Sequence, residues 1–438
     1  MIRSLLIANR GEIAVRIIRT CKEMGIRSVA VFSEADSDAL HVKLADQAVC
    51  IGPPQSSESY LNQNALITAA MTTGCDAIHP GVGFLSENAD FADTVREAGL
   101  IFIGAEGNTI RQLGDKIQAK KTALDAGLPL VPGSDGPIEN VDEAIKVAEK
   151  IGTPLIVKAA AGGGGRGMRI IRNQVELEEN IRIASSEALS FFSDGTIFLE
   201  RYLESPRHVE IQVLSDGNGE VIYLGERDCS VQRNYQKLLE ESPSTAVSPE
   251  LREKMKSDVI KLFKKLKYAG AATVEFLVDN NQHYFMEVNT RVQVEHPVTE
   301  LISGVDIIRE QILACSEGRM DLTQKSVNLN GYALETRINA LTPGKVTRFD
   351  PPGGPFVRTD TFLYTGCNVS PHYDSMVAKI LVWARDRKSG LARMSRALRE
   401  TRIEGIKTNI DEQLEILESP QFRSGRFGTD VYSKIITE

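Results

Sequence analysis

The sequence predicts an α/β protein of more than one domain, and three observations carry that expectation. Short apolar runs alternate with helical periodicity over residues 3–103, a lysine at a strand end precedes four consecutive glycines at 162–165, and two acidic residues face each other across a predicted hairpin. At 438 residues the chain exceeds what one hydrophobic core covers, so roughly two to four compact units are expected.

Residues 4–8, 28–32, 77–78 and 101–103 read as buried strands. Between them Ile13, Ile17, Ile18 and Cys21 repeat at helical spacing, as do Phe91 and Val95 within 87–98. That βαβα rhythm implies a parallel sheet covered by helices, with a ligand crevice beyond the carboxyl ends of its strands. The run His79 to Asn88 falls just past one strand. It either lines the crevice or is a glycine-bearing turn whose Ser86 caps a helix starting at Glu87. A helix is predicted over 115–126, and the turn formers of 127–137 place a domain boundary there. A small lid-sized α/β unit follows: helix 141–151, strand 155–158, glycine loop, strand 168–171, helix 175–189, then alternating strands such as 208–213. An amphipathic helix over 249–267 leads to strands 272–278 and 284–288 and to helices ending near Cys315. Residues 331–383 are strand-rich, and helices close the chain.

Composition excludes several classes. Apolar residues make up 42% and charged residues 25%, the mix of a folded soluble protein. With 51 Lys and Arg against 59 Asp and Glu, nothing draws the surface toward nucleic acid or anionic lipid, and neither is expected as a partner. The six cysteines form no C-x-x-C pair and read as reduced thiols. The amino-terminal apolar run is too short for a signal peptide and no stretch is long enough to span a bilayer, so a cytoplasmic protein is expected.

Lys158 followed by Gly162, Gly163, Gly164, Gly165 and Gly167 suits a phosphate cradle, because backbone without Cβ atoms approaches an anion closely while lysine supplies a mobile charge. A hairpin tip uses the same letters. No G-x-x-x-x-G-K-[ST] occurs, so ATP would not be held by a P-loop. The predicted hairpin is more informative. Centred on Asn281, it pairs Leu277 with Phe285, Phe276 with Met286 and Glu275 with Glu287. Opposed carboxylates require solvent, a shared proton or a cation, and two of them suit a hard ion such as Mg²⁺ that takes its other oxygens from phosphates. Counting on by twos gives Asn289, Arg291, Gln293 and Glu295, a polar row when extended, with metal ligands at one end and an anion-binding arginine and general base at the other. His208 and Lys237 are ambiguous taken singly.

On these residues, and on the motifs IANRGEIA (7–14), 79–88, Pro132-Gly133-Ser134, 162–168, PRHVEIQ (206–212), ERDCS (226–230), EVNTRVQVEHP (287–297) and YDSM (373–376), the sequence resembles the biotin carboxylase branch of the ATP-grasp superfamily. The resemblance covers essentially the whole chain. It implies a Rossmann-like domain over 1–114, an ATP-grasp ATP-binding region over 115–330 with a mobile lid at about 131–203, and a carboxylase C-terminal domain over 331–438. By resemblance, Lys116, Lys158 and the glycines at 163, 164, 165 and 167 hold ATP phosphates. Glu200 and the backbone near Leu203 read the adenine, and His208, Gln232 and Leu277 lie beside the nucleotide. Glu275, Glu287 and Asn289 hold Mg²⁺ or Mn²⁺, with two sites possible. Arg291 clamps bicarbonate, Glu295 acts on it as general base, and Lys237 lies near the same anion.

The implied reaction makes carboxyphosphate from bicarbonate and ATP. Its breakdown gives CO₂ and phosphate, the phosphate deprotonates biotin N1′, and Arg337 stabilises the enolate. The unstable intermediate explains a lid that excludes water. The family's biotinylated Ala/Val-Met-Lys-Met segment does not occur in the sequence. A biotin carboxyl carrier protein and carboxyltransferase subunits are therefore expected as separate partners, as in acetyl-CoA carboxylase, and a homodimer is usual among relatives. Three positions depart from the family: Tyr235 where a histidine is common, Val82 for a frequent tyrosine, and a short loop Ala340-Leu341-Thr342-Pro343. The alternatives are another ATP-grasp carboxylate–amine ligase and a non-catalytic nucleotide-binding subunit.

Overall fold

The structure, a computed structural model, describes residues 2–134, 136–138, 140–159, 168–192 and 194–436. β1 (Ser4–Ile7), β2 (Arg27–Ser33), β3 (Gln47–Gly52), β4 (Ala77–His79) and β5 (Ile101–Phe102) form a parallel sheet in the order β3-β2-β1-β4-β5. Four of these strands are legible in the sequence. β3 is not, because it is an edge strand that buries only Ile51 fully. The helix Gly11–Met24 buries Ile13, Ile17, Ile18 and Cys21 as its spacing predicts, and Gly25 ends it at φ 69°.

Strand order reverses between β1 and β4, and the loops leaving both strands meet at that point. Asn9 Nδ2 donates to the carbonyls of Pro80 and Val82, each at 2.7 Å. Gly81 sits at φ +68°, and a Cβ there would stand 2.8 Å from Asn9 Nδ2, so only glycine lets the loops approach. The next helix begins at Ala89 rather than at Glu87. Its cap is Asn88, whose Oδ1 accepts from the Phe91 amide at 2.8 Å, not Ser86. Glu87 is thereby left outside the helix.

β6 (Leu155–Ala159), β7 (Met168–Ile171) and β8 (Ile197–Arg201) form a separate three-stranded antiparallel sheet, ordered β7-β6-β8. Helices Val141–Ile151 and Leu177–Phe192 pack on it around a core of its own that includes Leu155, Val157, Ile181 and Leu199. The glycines expected to cradle phosphate, at 163, 164, 165 and 167, lie outside the described residues. The strand expected at 208–213 is not part of this small unit. It is the centre of β9 (Arg207–Asp216), which pairs elsewhere.

That second, antiparallel sheet has eight strands. β9, β10 (Val221–Arg233), β11 (Gln236–Ser242), β12 (Ala269–Asp279), β13 (Gln282–Asn289) and β14 (Tyr332–Asn339) are ordered β13-β12-β9-β10-β11-β14, and strands Met376–Ala384 and Val357–Thr361 complete it beyond β14. The hairpin register differs from expectation near its turn. Asn280 and Asn281 alone make the turn, at φ 48° and 59°, so Phe276 pairs with Phe285 and Leu277 with Tyr284. Met286 then bulges out, the register gains one residue, and Glu275 pairs with Glu287. No helix among the described residues is long and apolar enough to cross a membrane, and all six cysteines are free.

Candidate active site

A cleft of about 720 Å³ opens at the switch point of the parallel sheet and runs across the face of the eight-stranded sheet to β14. Its floor follows from register. Arg227, Glu210, Glu275 and Glu287 are successive cross-strand neighbours on β10, β9, β12 and β13, which lines three carboxylates side by side. Such a row is unfavourable without cations. Arg227 Nε donates to Glu210 Oε1 at 2.6 Å, from a fully buried position. Lys237 Nζ reaches Glu210 Oε2 at 2.7 Å, Glu275 Oε1 at 3.0 Å and Glu295 Oε1 at 2.6 Å. His208 Nε2 lies 2.8 Å from Glu275 Oε2, and Gln232 Nε2 lies 2.7 Å from His208 Nδ1.

Burial pushes the Glu275 carboxyl up, but Lys237 and His208 outweigh it and hold the group well below the usual carboxylate range. Burial likewise opposes ionisation of Glu295, and Lys237, Arg337 and Arg227 overcome it. Glu287 shifts the other way, raised by desolvation and then by the Glu275 charge. The Lys237 ammonium holds its proton firmly, because Glu210, Glu275 and Glu295 outweigh the cost of burying it.

The polar row expected to continue by twos does not stay extended. β13 ends at Asn289, and the Thr290 amide donates to Glu87 Oε1 at 3.0 Å instead of to a strand neighbour. The side chains converge all the same. Arg291 Nε meets Glu87 Oε2 at 2.8 Å, while its terminal nitrogens donate to Gln293 Oε1 at 2.9 Å and Asn289 Oδ1 at 3.2 Å. Asn289 Nδ2 and Gln293 Nε2 donate to Glu275 Oε1 at 3.0 and 3.3 Å. Glu295, fully buried, then opens the helix His296–Ser303. Arg337 Nη2 reaches its Oε2 at 2.9 Å, so one carboxylate lies between Lys237 and a guanidinium.

On the small three-stranded sheet, Lys158 and Glu200 project from neighbouring strands β6 and β8. Lys158 Nζ lies 2.5 Å from Glu200 Oε2, and Lys120 Nζ lies 2.5 Å from Glu200 Oε1. Lys120 is one helical turn beyond Lys116, which opens the helix Lys116–Asp125. Leu203 is half-buried in the link from β8 to β9, and Leu277 pairs with His208 across β12 and β9. Glu87, Glu210, Arg227, Lys120 and Glu240 were not expected here. Glu210 was legible in principle, since His208, Glu210 and Gln212 alternate with Val209, Ile211 and Val213 as a second polar row at period two.

Glu240 adds a titration signature. It stands opposite Glu335 on β11 and β14, and Arg337 Nε donates to its Oε1 at 2.6 Å. Burial pushes the Glu240 carboxyl up to about 7 from an ordinary 4.5, against the pull of Arg337 and with the push of Glu295. A carboxyl raised on folding binds more protons folded than unfolded, so its contribution falls as pH rises through that window. Glu240→Gln is therefore expected to gain stability relative to wild type between about pH 5 and 7, by roughly 2 kcal/mol, read from denaturant unfolding across pH.

A small three-stranded sheet lies beside an antiparallel sheet bearing paired carboxylates and lysines, and the matching ATP-binding domain and the relatives that follow place this arrangement among ATP-dependent ligases of the ATP-grasp class. Residues 1–110 and 335–434 match the biotin carboxylase N-terminal and C-terminal domain models, and 115–321 match the carbamoyl-phosphate synthase L chain ATP binding domain. The chain is 52% identical to biotin carboxylase 1 of Bacillus subtilis, over 98% of both chains. It is 49% identical to the biotin carboxylase of Haemophilus influenzae, over 99% of this chain and 98% of that one. A biotin carboxylase β-γ-ATP complex from Campylobacter jejuni superposes with a TM-score of 0.93 at 47% identity, covering 99% of each chain. The biotin carboxylase domain dimer of Hydrogenobacter thermophilus 2-oxoglutarate carboxylase, in complex with MgADP, ADP and bicarbonate, gives 0.91 at 45% identity, covering 99% of this chain and 98% of that one. The chain belongs to the biotin carboxylase family.

Proposed function

We propose that this chain carries out ATP- and bicarbonate-dependent carboxylation of biotin N1′ on a separate carrier protein, by way of carboxyphosphate. The observation that carries the reading is Glu295, a buried carboxylate between Lys237 and Arg337, in the same cleft as Arg291 and the opposed pair Glu275 and Glu287. Arg291 and Lys237 hold bicarbonate, and Glu295 takes its proton. Cations keep Glu295 ionised but weakly basic, and substrate oxygens that draw Lys237 away restore its basicity. A bicarbonate oxygen attacks the γ-phosphorus, the bond to the bridging oxygen breaks and ADP leaves, and the carboxyphosphate so formed breaks down to CO₂ and phosphate. The phosphate takes the N1′ proton, Arg337 neutralises the enolate oxygen, and N1′ then attacks the carbon of CO₂ to form N-carboxybiotin.

Glu275, Glu287 and the Asn289 amide oxygen offer an all-oxygen donor set whose own repulsion a cation would relieve, which fits Mg²⁺ or Mn²⁺. Bound there, the ion neutralises phosphate charge during transfer. Lys116 and Lys158 take the phosphates with the glycines at 163–165 and 167, and Glu200 with the Leu203 backbone reads the adenine beside His208, Gln232 and Leu277. The domains we assign are 1–114, 115–330, with a lid at about 131–203, and 331–438. A biotin carboxyl carrier protein and carboxyltransferase subunits complete a cytoplasmic carboxylase around a homodimer.

The test is ATP hydrolysis by the purified chain with Mg²⁺. Hydrolysis that requires bicarbonate and rises with free biotin is expected. Hydrolysis that ignores biotin and follows an added amine would replace this reading with an amine ligase, and no hydrolysis would leave a protein that only binds nucleotide.

A further inference from the structure

Lys379 stands in the middle of strand Met376–Ala384, flanked by Val377, Ala378, Ile380 and Leu381, and is fully buried. An ammonium in such surroundings is costly unless it is paired and hydrogen-bonded. Its Nζ lies 3.0 Å from Glu12 Oε1 and donates to the Val294 carbonyl at 2.7 Å. Both contacts lead to the cleft. Val294 immediately precedes Glu295, and Glu12 belongs to the first turn of the helix that follows the crevice loop at Asn9 and Arg10.

Register makes the arrangement specific. Lys379 is the cross-strand partner of Arg337 on one side and of Asp360 on the other. Arg337 holds the Glu295 carboxylate at 2.9 Å, while Lys379 holds the preceding backbone carbonyl. Two neighbouring cations thus grip residues 294–295 by side chain and by main chain. Residues 290–295 lie between strand and helix; His296 donates to the Gln293 carbonyl and the Val298 amide to the Glu295 carbonyl, so the Val294 carbonyl between them is the one that Lys379 holds.

We infer that Lys379, anchored by Glu12, is a positioning residue for bicarbonate activation: it fixes the Val294–Glu295 peptide so that the Glu295 carboxylate stays between Lys237 and Arg337. The inference rests on the proposed function. A misplacement of about 1 Å at a reacting group costs on the order of 100-fold in rate, so a held carbonyl is enough to matter.

Removing only the lysine would also strand a buried glutamate, so the test separates the two effects. Lys379→Met is expected to lower both thermal stability and kcat/KM for bicarbonate, the latter about tenfold or more, with KM for ATP within about threefold of wild type. The double variant Glu12→Gln with Lys379→Met removes the charge that Lys379 touches, while Glu335 and Asp360, the other buried acids facing it, keep theirs, so the regain is partial. It is expected to regain that part of the stability and to keep the bicarbonate defect, because nothing then holds the Val294 carbonyl. A stable double variant with wild-type kcat/KM for bicarbonate overturns the inference. Should the double variant not fold, Lys379→Arg decides, since it keeps charge and donors. A bicarbonate kcat/KM within about threefold of wild type supports the inference, and a larger loss overturns it. Wild-type protein that hydrolyses no ATP with bicarbonate and biotin would overturn the underlying reading instead, whatever the variants do.

Discussion

Lys237→Met is expected to abolish bicarbonate-stimulated ATP hydrolysis, lowering kcat/KM by about 10³-fold or more. One ammonium lies within 3.0 Å of Glu210, Glu275 and Glu295, so its loss leaves three buried carboxylates facing each other. Breaking a buried pair costs about 3–5 kcal/mol through the uncompensated charge, and here the charge is shared among three partners. Glu275 and Glu295 would rise toward the protonated state and lose the ionised form that the proposed mechanism uses. The stability effect carries a sign. Carboxyls depressed on folding contribute stability at neutral pH that is lost as pH falls, so the deficit of the variant should be full near pH 7 and shrink in acid. Steady-state ATPase assays with and without bicarbonate, with urea unfolding at several pH values, check both parts. Retained bicarbonate stimulation would remove Lys237 from the mechanism.

Glu287→Gln is expected to move stability and activity in opposite directions. Glu287 faces Glu275 across β12 and β13, and burial first, then the Glu275 charge, pushes its carboxyl up. Neutralising it should stabilise the protein by about 0.5–1 kcal/mol, since a like-charge cross-strand pair is removed. The same change deletes one carboxylate of the proposed metal site. Affinity for Mg·ADP should drop about 100-fold while metal-free ADP binds as before, and turnover should fall by a similar factor. Calorimetric titration of ADP with and without Mg²⁺, beside thermal unfolding, reads both signs. Equal loss with and without metal would mean that Glu287 holds the nucleotide or the fold rather than an ion.

The sequence discloses the carboxylate pair because strand periodicity is strict. Glu275 and Glu287 lie far enough from the turn that a wrong centre and a compensating bulge at Met286 cancel between them. Nearer the turn nothing cancels, and the expected partners of Phe276 and Leu277 are each off by one. Strand periodicity puts the row beyond Asn289 in one plane, and its side chains do meet, but through a bend at which both the Thr290 amide and Arg291 bind Glu87. Nothing local announces the Thr290 bond, because its partners are 203 residues apart. Lys120, Glu240 and Lys379 were illegible for a similar reason. Each has meaning only through a partner on another element, although a lysine inside a run as apolar as Val377 to Val382 is itself a visible anomaly.

One feature of the architecture governs motion. Strands β9 to β14 belong to a single hydrogen-bonded ladder that carries Glu210, Glu275, Glu287, Lys237 and Arg337, whereas Lys158 and Glu200 ride on the small three-stranded sheet with its own core. Because the small sheet has a core of its own, its separate opening is expected to leave the spacing of the carboxylates on the large ladder unchanged. Amide hydrogens of the large ladder should be the last in the molecule to exchange with deuterium, and those of β6 to β8 among the first. Exchange that is slow in the large ladder and fast in the small sheet would mark two separately cooperative units, whereas equal protection in both would mark one.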